Sequence, residues 1–478
     1  MAPINVEKLL DLDNVHHLIE YQRIGLPDDI LRRKLHGDFS GALRLIDKRL
    51  NDPNTAECMK KCLRFHREMI LRLPGEFPYS KEDALAIMQE KIPDFTMGEI
   101  EELMDNRAIR WIYVNGEERI FSRFCSSLLK AVPGMAQRAN ATLAGVESNT
   151  TPQENPLNPI MRKMKEHGSL SYRIRIRASV KLKDDYFTPG MFMRAHLPIP
   201  AACDRQSDIR IEKLYPENGK IAKADEHQRT VCWEENMEEN HEFMVEYSYI
   251  NTARYVDAYN SKGVESCYNH DLDEKEPHIV FTPYIRQLCA ELIEDTNAPM
   301  GRARAIYDFI TTKMQYTYMP DYFVLDNIAE TCAKEYNGDC GVFALLFITL
   351  CRCAGIPARW QSGNTAEPNF IGSHDWAEFY VEPYGWLAAD PSYGISANRQ
   401  GCEERRQFYF GNLDPFRMIA NSDFQVSFSL GMDHVRKEHW RNDPYDNQSG
   451  EMETTNRGFS GSQYIRDKEI LCCEEITE

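Results

Sequence analysis

Three residues of the chain are of types that break and make amide bonds, and each stands where that chemistry is feasible. Cys340 lies in Gly338-Asp339-Cys340-Gly341, ahead of an almost wholly apolar run to Cys353. Asp339 is placed to cap a helix there, Gly355 to stop it, and Pro357 forbids continuation. A thiol in the first turn feels the positive end of the helix dipole, and unbonded N–H groups favour its thiolate. The same groups can hold the oxyanion that forms when a thiolate attacks an amide. Cys351 and Cys353, far along the same helix, gain none of this and read as packing residues.

A thiolate needs an acid–base partner and a group that orients it. Residues 374–381 alternate as His-Asp-Trp-Ala-Glu-Phe-Tyr-Val; the turn Glu382-Pro383-Tyr384-Gly385 follows, and Trp386-Leu387-Ala388-Ala389-Asp390 stops at Pro391. The pattern predicts a hairpin with His374 opening one strand and Asp390 closing the next, so that antiparallel pairing sets the two side by side. Asp390 then binds one imidazole nitrogen and leaves the other for Cys340. The expected roles are nucleophile for Cys340, general base for His374 and orienting acid for Asp390.

The elements that must position these residues follow from periodicity. Residues 1–132 read as a helical N-terminal domain ending in helix–helix–hairpin, with Asn115-Gly116 as a type I′ turn. Winged DNA-binding domains share that order, but the second helix carries Glu99, Glu101, Glu102 and Asp105, which a phosphate backbone would repel. Residues 133–165, small, polar and proline-rich, read as a linker. Residues 166–275 read as a β-rich domain, a small sandwich over about 168–255. In it Tyr172, Ile174, Ile176, Ala178, Val180 and Leu182 alternate with polar residues, and Phe243, Val245, Tyr247 and Tyr249 do likewise. The stripe Arg173, Arg175, Arg177 and Lys181 reads as a solvated face or as partner to this protein's own acids. Residues 276–435 read as the catalytic domain, with helices over 282–315, and 436–478 as a polar extension with a short terminal strand or helix.

Composition bounds the function. Of the 478 residues 42% are hydrophobic and 27% charged, as in soluble globular proteins. A formal net charge of −18 argues against nucleic acid and anionic membranes as main partners. No basic leader with an apolar core opens the chain, and the longest apolar run, Gly341 to Leu350, is too short to span a bilayer. Fourteen cysteines without a CxxC pair fit a reducing compartment, so a cytoplasmic location is expected. No metal or cofactor is expected: the nearest metal-like spacing, His434 with His439, falls in a charged polar tail.

At the three reactive residues the chain resembles the transglutaminase-like superfamily, rearranged relatives of papain-type cysteine proteases. The family's blocks are matched by Gly338-Asp339-Cys340 opening a helix that ends in Gly355-Ile356-Pro357-Ala358-Arg359, by His374-Asp375-Trp376, and by Asp390-Pro391. The resemblance covers roughly 280–395 and implies a papain/transglutaminase-like core, its cysteine-bearing helix buried against an antiparallel sheet; with the β-sandwich-like domain and the helical N-terminal domain read ahead of it, the expected fold class is α+β. It implies that Cys340, His374 and Asp390 form a catalytic triad, and that an upstream side chain completes the oxyanion hole. Tyr316, in Met314-Gln315-Tyr316-Thr317-Tyr318, is the first candidate, ahead of Tyr318.

Animal-type transglutaminases carry two β-barrels after the core and depend on calcium; the residues after 435 are too few for that. The peptide N-glycanase branch brings zinc-binding CxxC pairs, which this sequence lacks. What the resemblance implies is a bacterial-type cysteine peptidase or amidase, cleaving peptide or isopeptide bonds through an acyl-enzyme. The alternatives are protein-glutamine γ-glutamyl transfer, with an amine in place of water, and a non-catalytic binding scaffold. Degenerate scaffolds are expected to lose Cys, His or Asp first, and all three remain.

Overall fold

A computed structural model describes residues 15–144, 154–265, 267–431, 447–455 and 457–477. The chain divides into two compact units, one of residues 1–154, 275–280 and 313–342, the other of 155–274, 281–312 and 343–478. His434 and His439 lie outside the described residues.

The first unit is mainly helical. It runs through a 3-10 helix Val15–Ile24 and α-helices Asp28–Leu35, Phe39–Leu50, Glu57–Glu76, Lys81–Gln89, Met97–Asp105, Phe124–Ala131 and Met135–Ala144. Ser80 with Asp83 and Thr96 with Glu99 form capping boxes, so local hydrogen bonding starts the two helices ahead of the hairpin. The hairpin pairs Trp111–Val114 with Glu117–Ile120, Val114 opposite Glu117, leaving the two-residue turn the sequence predicts. Its turn residues Asn115 and Gly116 have φ of 51° and 90°, as type I′ requires. Ile100, Met88, Phe95, Ile120, Phe124 and Leu128 share one core.

Residues 313–342 are part of this unit and are bonded to it throughout. Gln22 Nε2 donates to Leu325 O at 3.1 Å, the Ser127 hydroxyl accepts from Tyr318 N at 3.0 Å, and Phe65 and Phe323 lie ring to ring at 4.7 Å. A two-residue parallel pair sets Gln315 opposite Asn337 and Tyr316 opposite Gly338.

The second unit is built on three antiparallel sheets. A five-stranded sheet has the order Phe410–Gly411, Gly385–Ala389, Phe370–Val381, Ala358–Glu367, Arg417–Asn421. Two four-stranded sheets have the orders Glu451–Glu453, Met191–Pro198, Thr230–Met237, Lys220–Ile221 and Tyr464–Ile476, Ser169–Leu182, Phe243–Arg254, Gln206–Tyr215. The Met191–Pro198 strand contacts Ser169–Leu182 and Phe243–Arg254 of the other sheet. The chain is thus mixed α+β, as expected.

Details differ from the sequence reading, each for a physical reason. Helix Met135–Ala144 and most of helix Leu157–His167 fall within 133–165, the stretch read as linker; the second buries Leu157, Met161 and Met164, an apolar stripe of one turn's spacing. Phe243–Arg254 is buried on both faces because it is a central strand, and its Glu246 faces Arg175, which bonds it. Arg173 and Arg177 likewise pair with Asp208 and Glu469, at 2.9 and 3.2 Å, so the three arginines of the basic stripe are met by the protein's own acids. The described part of the C-terminal stretch is no loose extension. Glu451–Glu453 and Tyr464–Ile476 are edge strands of the two four-stranded sheets; the first is buried, its Glu453 paired with Arg194, and the polar composition of the second is that of a strand with one face in water.

Candidate active site

The helix Cys340–Cys353 begins in the first unit and continues into the second. Asp339 Oδ1 accepts from Val342 N at 3.2 Å, the N-cap bond predicted from sequence, and also accepts the Tyr322 hydroxyl at 2.5 Å. Burial raises the Asp339 carboxyl above its ordinary range; the Tyr322 and Val342 bonds oppose that. Tyr316 is buried, its backbone two residues from Cys340 across the parallel pair. Its phenol is pushed well up by burial, then by the adjoining Cys340 and Asp339. Lys130 sits 3.9 Å over the Tyr316 ring.

From Phe343 to Cys351 the helix is fully buried, as its all-round apolar sequence requires. Phe347 meets Phe379 of the five-stranded sheet edge to face at 5.7 Å. The Cys351 thiol is driven far up by burial and is inert. Cys353 departs from the packing role assigned to it: it is only partly buried, and a hydrogen bond with Cys289 lowers its thiol while raising that of Cys289.

His374 and Asp390 meet in the second unit. His374 Nε2 and Asp390 Oδ2 are 2.7 Å apart, with Asp390 fully buried and His374 nearly so. The hairpin is real but longer than predicted: its first strand opens at Phe370, and Ala377 pairs with Ala389. His374 and Trp376 point to one face of their strand, two residues apart, which lets the imidazole reach Asp390 at the end of the neighbouring strand. Asp390 is also the N-cap of helix Pro391–Arg399, its Oδ1 accepting from Tyr393 N at 2.9 Å.

Arg417, wholly buried, completes this cluster. Its Nη1 lies 3.0 Å from Asp390 Oδ2 and its Nη2 2.8 Å from Asp414 Oδ2. Burial pushes the Asp390 carboxyl up, but the charges of His374 and Arg417 outweigh it and hold it below the usual carboxylate range. The imidazole rests against Tyr393, ring centres 4.9 Å apart, and Arg417 covers the other part of that ring at 4.4 Å. Trp376 is pinned by a 2.8 Å bond from its Nε1 to Gln361 Oε1. Gly363 pairs with His374 across the sheet, and a Cβ there would lie 1.8 Å from the Met418 carbonyl oxygen. The missing side chain is what lets the Arg417–Asn421 strand approach and deliver Arg417.

Sequence reasoning misses Arg417, Tyr393, Gln361 and Gly363. Arg417 sits in Asp414-Pro415-Phe416-Arg417-Met418, where Asp414 three residues before it is a faint local sign of pairing. Among the described residues no group of three or more His, Cys, Asp or Glu could hold a metal ion. No helix among them is long and apolar enough to cross a membrane.

Residues 286–391, which hold Cys340, His374 and Asp390, match the family model of the transglutaminase-like superfamily. The chain therefore carries a transglutaminase-like core, of a family whose members are typically cysteine-based enzymes. Two curated relatives are similar to it over part of their length. The uncharacterised protein YebA of Bacillus subtilis is 24% identical over 131 residues, 23% of this chain and 18% of that protein. A protein-glutamine gamma-glutamyltransferase of Pseudomonas aeruginosa is 29% identical over 135 residues, 26% of this chain and 20% of that protein. The chain thus spans a fifth or less of the curated relatives it matches. Among solved structures, a proposed cysteine protease from Cytophaga hutchinsonii is 14% identical and covers 65% of this chain and 92% of its own at a TM-score of 0.42. The periplasmic domain of TgpA from Pseudomonas aeruginosa is 16% identical and covers 52% and 96% at a TM-score of 0.28.

Proposed function

We propose that the chain is an acyl-transfer enzyme with Cys340 as nucleophile, and that it hydrolyses peptide or isopeptide bonds of a protein or peptide substrate. The observation that carries this reading is the buried His374–Asp390 pair locked by Arg417. An ionised carboxylate on Nε2 fixes the imidazole and stabilises its charged form, so proton exchange falls to Nδ1. The Cys340 proton passes to Nδ1 first, and the resulting Sγ thiolate attacks the carbonyl carbon. The oxyanion is held by N–H groups of the first helical turn, with the Tyr316 hydroxyl as a further donor. The leaving amine takes the proton from Nδ1, the C–N bond breaks and the acyl group remains on sulfur. Water then attacks the thioester carbon, losing its proton to the same nitrogen; the C–S bond breaks, the acid leaves and the Cys340 thiolate is restored.

A second reading, amine transfer, is favoured by the relative described as a protein-glutamine gamma-glutamyltransferase. The same residues serve, and a primary amine resolves the acyl-enzyme in place of water. Both are tested by incubating wild type and Cys340→Ala with glutamine-containing peptides and peptide amides plus a small primary amine, and reading product masses. Cleaved or deamidated peptide that depends on Cys340 supports hydrolysis. Amine-adducted peptide supports transfer, and no Cys340-dependent product from either defeats the proposal.

A further inference from the structure

The first unit holds a cavity of about 490 Å³, within the range of small-ligand sites. Its walls are largely apolar, with Phe39, Phe77, Met104, Ile109, Trp111 and Val324 among them. Leu35 also lines it and is 67% exposed, so it stands where the cavity meets solvent.

The polar groups of this cavity are unevenly matched. Lys34 is satisfied by Asp326, 3.1 Å away. Arg107 makes a long 3.5 Å bond to the Lys334 carbonyl. Arg110 donates from Nη2 to Asn337 Oδ1, its Nε is buried without an acceptor, and no carboxylate pairs with it among the described residues. Glu335 lines the cavity too; its charge and that of Asp339 act on Arg110, but neither forms a direct ion pair with it. Three cations face two carboxylates here, in a chain whose formal net charge is −18. A guanidinium that no neighbouring carboxylate pairs with directly keeps open donors in a largely apolar hollow, and a carboxylate is the group its fork geometry matches.

We propose that this cavity binds a small organic acid with a single carboxylate on an apolar, aliphatic or aryl, body. The carboxylate pairs with Arg110 and the body fills the apolar walls. Its size favours a free acid of drug-like dimensions over a longer peptide segment. The site stands independently of the chemistry proposed for Cys340, though Asn337, the partner of Arg110, is three residues upstream of that cysteine.

The test is calorimetric titration of the full chain with 4-phenylbutyrate and with decanoate, each beside its alcohol. Wild type is expected to show one saturable site for the acids, with the alcohols at least about ten-fold weaker, the loss of one charge-assisted pair. Arg110→Gln, which can still bond Asn337, is expected to weaken the acids by a similar factor, its folding checked by circular dichroism. Leu35→Glu, at an exposed position that leaves the fold intact, places a negative charge at the mouth and is expected to weaken acids more than alcohols. Absence of saturable binding to wild type, equal affinity for acid and alcohol, or unchanged acid binding in Leu35→Glu or in folded Arg110→Gln would each overturn the proposal.

Discussion

Asp390 Oδ2 is shared: His374 Nε2 stands 2.7 Å from it and Arg417 Nη1 3.0 Å. One buried oxygen therefore orients the imidazole while a buried cation keeps it ionised. The two functions separate by mutation. Asp390→Asn keeps the volume and the cap acceptor but removes the charge, and is expected to lower turnover by about 10³- to 10⁴-fold, with a smaller loss of stability than Arg417→Met because Arg417 keeps Asp414. Arg417→Met strands Asp390 and Asp414 as uncompensated buried charges, and is expected to cost about 3–5 kcal/mol of stability. Thermal or urea melts of the two variants beside wild type check this. An Arg417→Met protein as stable as wild type would mean the cluster is not electrostatically held.

Gly363 gives a purely steric prediction. Gly363→Ala puts a methyl where the Met418 carbonyl oxygen now lies. The strand bearing Arg417 must withdraw, so the variant is expected to lose about 1–3 kcal/mol and a share of its activity together. A melt and a rate measurement on one preparation check it, and unchanged values in both would contradict the packing described.

Glu76 gives the pH dependence. Burial, then the charge of Asp321, lifts its carboxyl from 4.5 to about 7, and its Oε2 accepts from Asp321 N at 3.3 Å. The folded state therefore favours the protonated acid. Its contribution is complete below pH 4.5 and is lost as pH rises through about 7, because the unfolded chain releases that proton first. Melting temperature is expected to fall from pH 5 to pH 7.5, and Glu76→Gln is expected to flatten that slope. Asp390 runs the other way: with its folded value depressed, its contribution is full above pH 3.8 and lost only in stronger acid.

Truncation tests the integrity of the first unit. Residues 1–132 hold the Cys340-bearing segment through Gln22, Phe65, Ser127 and Arg110. Deleting them uncovers Phe323 and Tyr316, now buried against Phe65 and Lys130. The expected product is insoluble or inactive protein, read by size-exclusion chromatography and by turnover. A soluble truncation of higher activity would show instead that these helices restrain the site.

How much of this is legible in the sequence depends on the reach of the contact involved. The Asp339 cap, the Asn115-Gly116 turn and the alternation that places His374 are local, and period and turn chemistry reveal them. Arg417 reaches Asp390 only because Gly363 lets a distant strand approach, and no local pattern carries that. The same holds for Tyr464–Ile476, whose polar residues read as a tail until they pair with Ser169–Leu182 nearly three hundred residues earlier. Nothing local marks Arg110, whose partner Asn337 is more than two hundred residues further on.

The most direct test of the account is the pH profile of Cys340 alkylation by iodoacetamide, in a Cys353→Ser background that removes the other activated thiol. With His374 intact, Cys340 is expected to react well below pH 7, as a thiolate paired with an imidazolium does. His374→Ala is expected to return its midpoint to the ordinary thiol value near 8.5. A Cys340 that titrates near 8.5 in both proteins would contradict a Cys340–His374 pair, and with it the acyl-transfer mechanism.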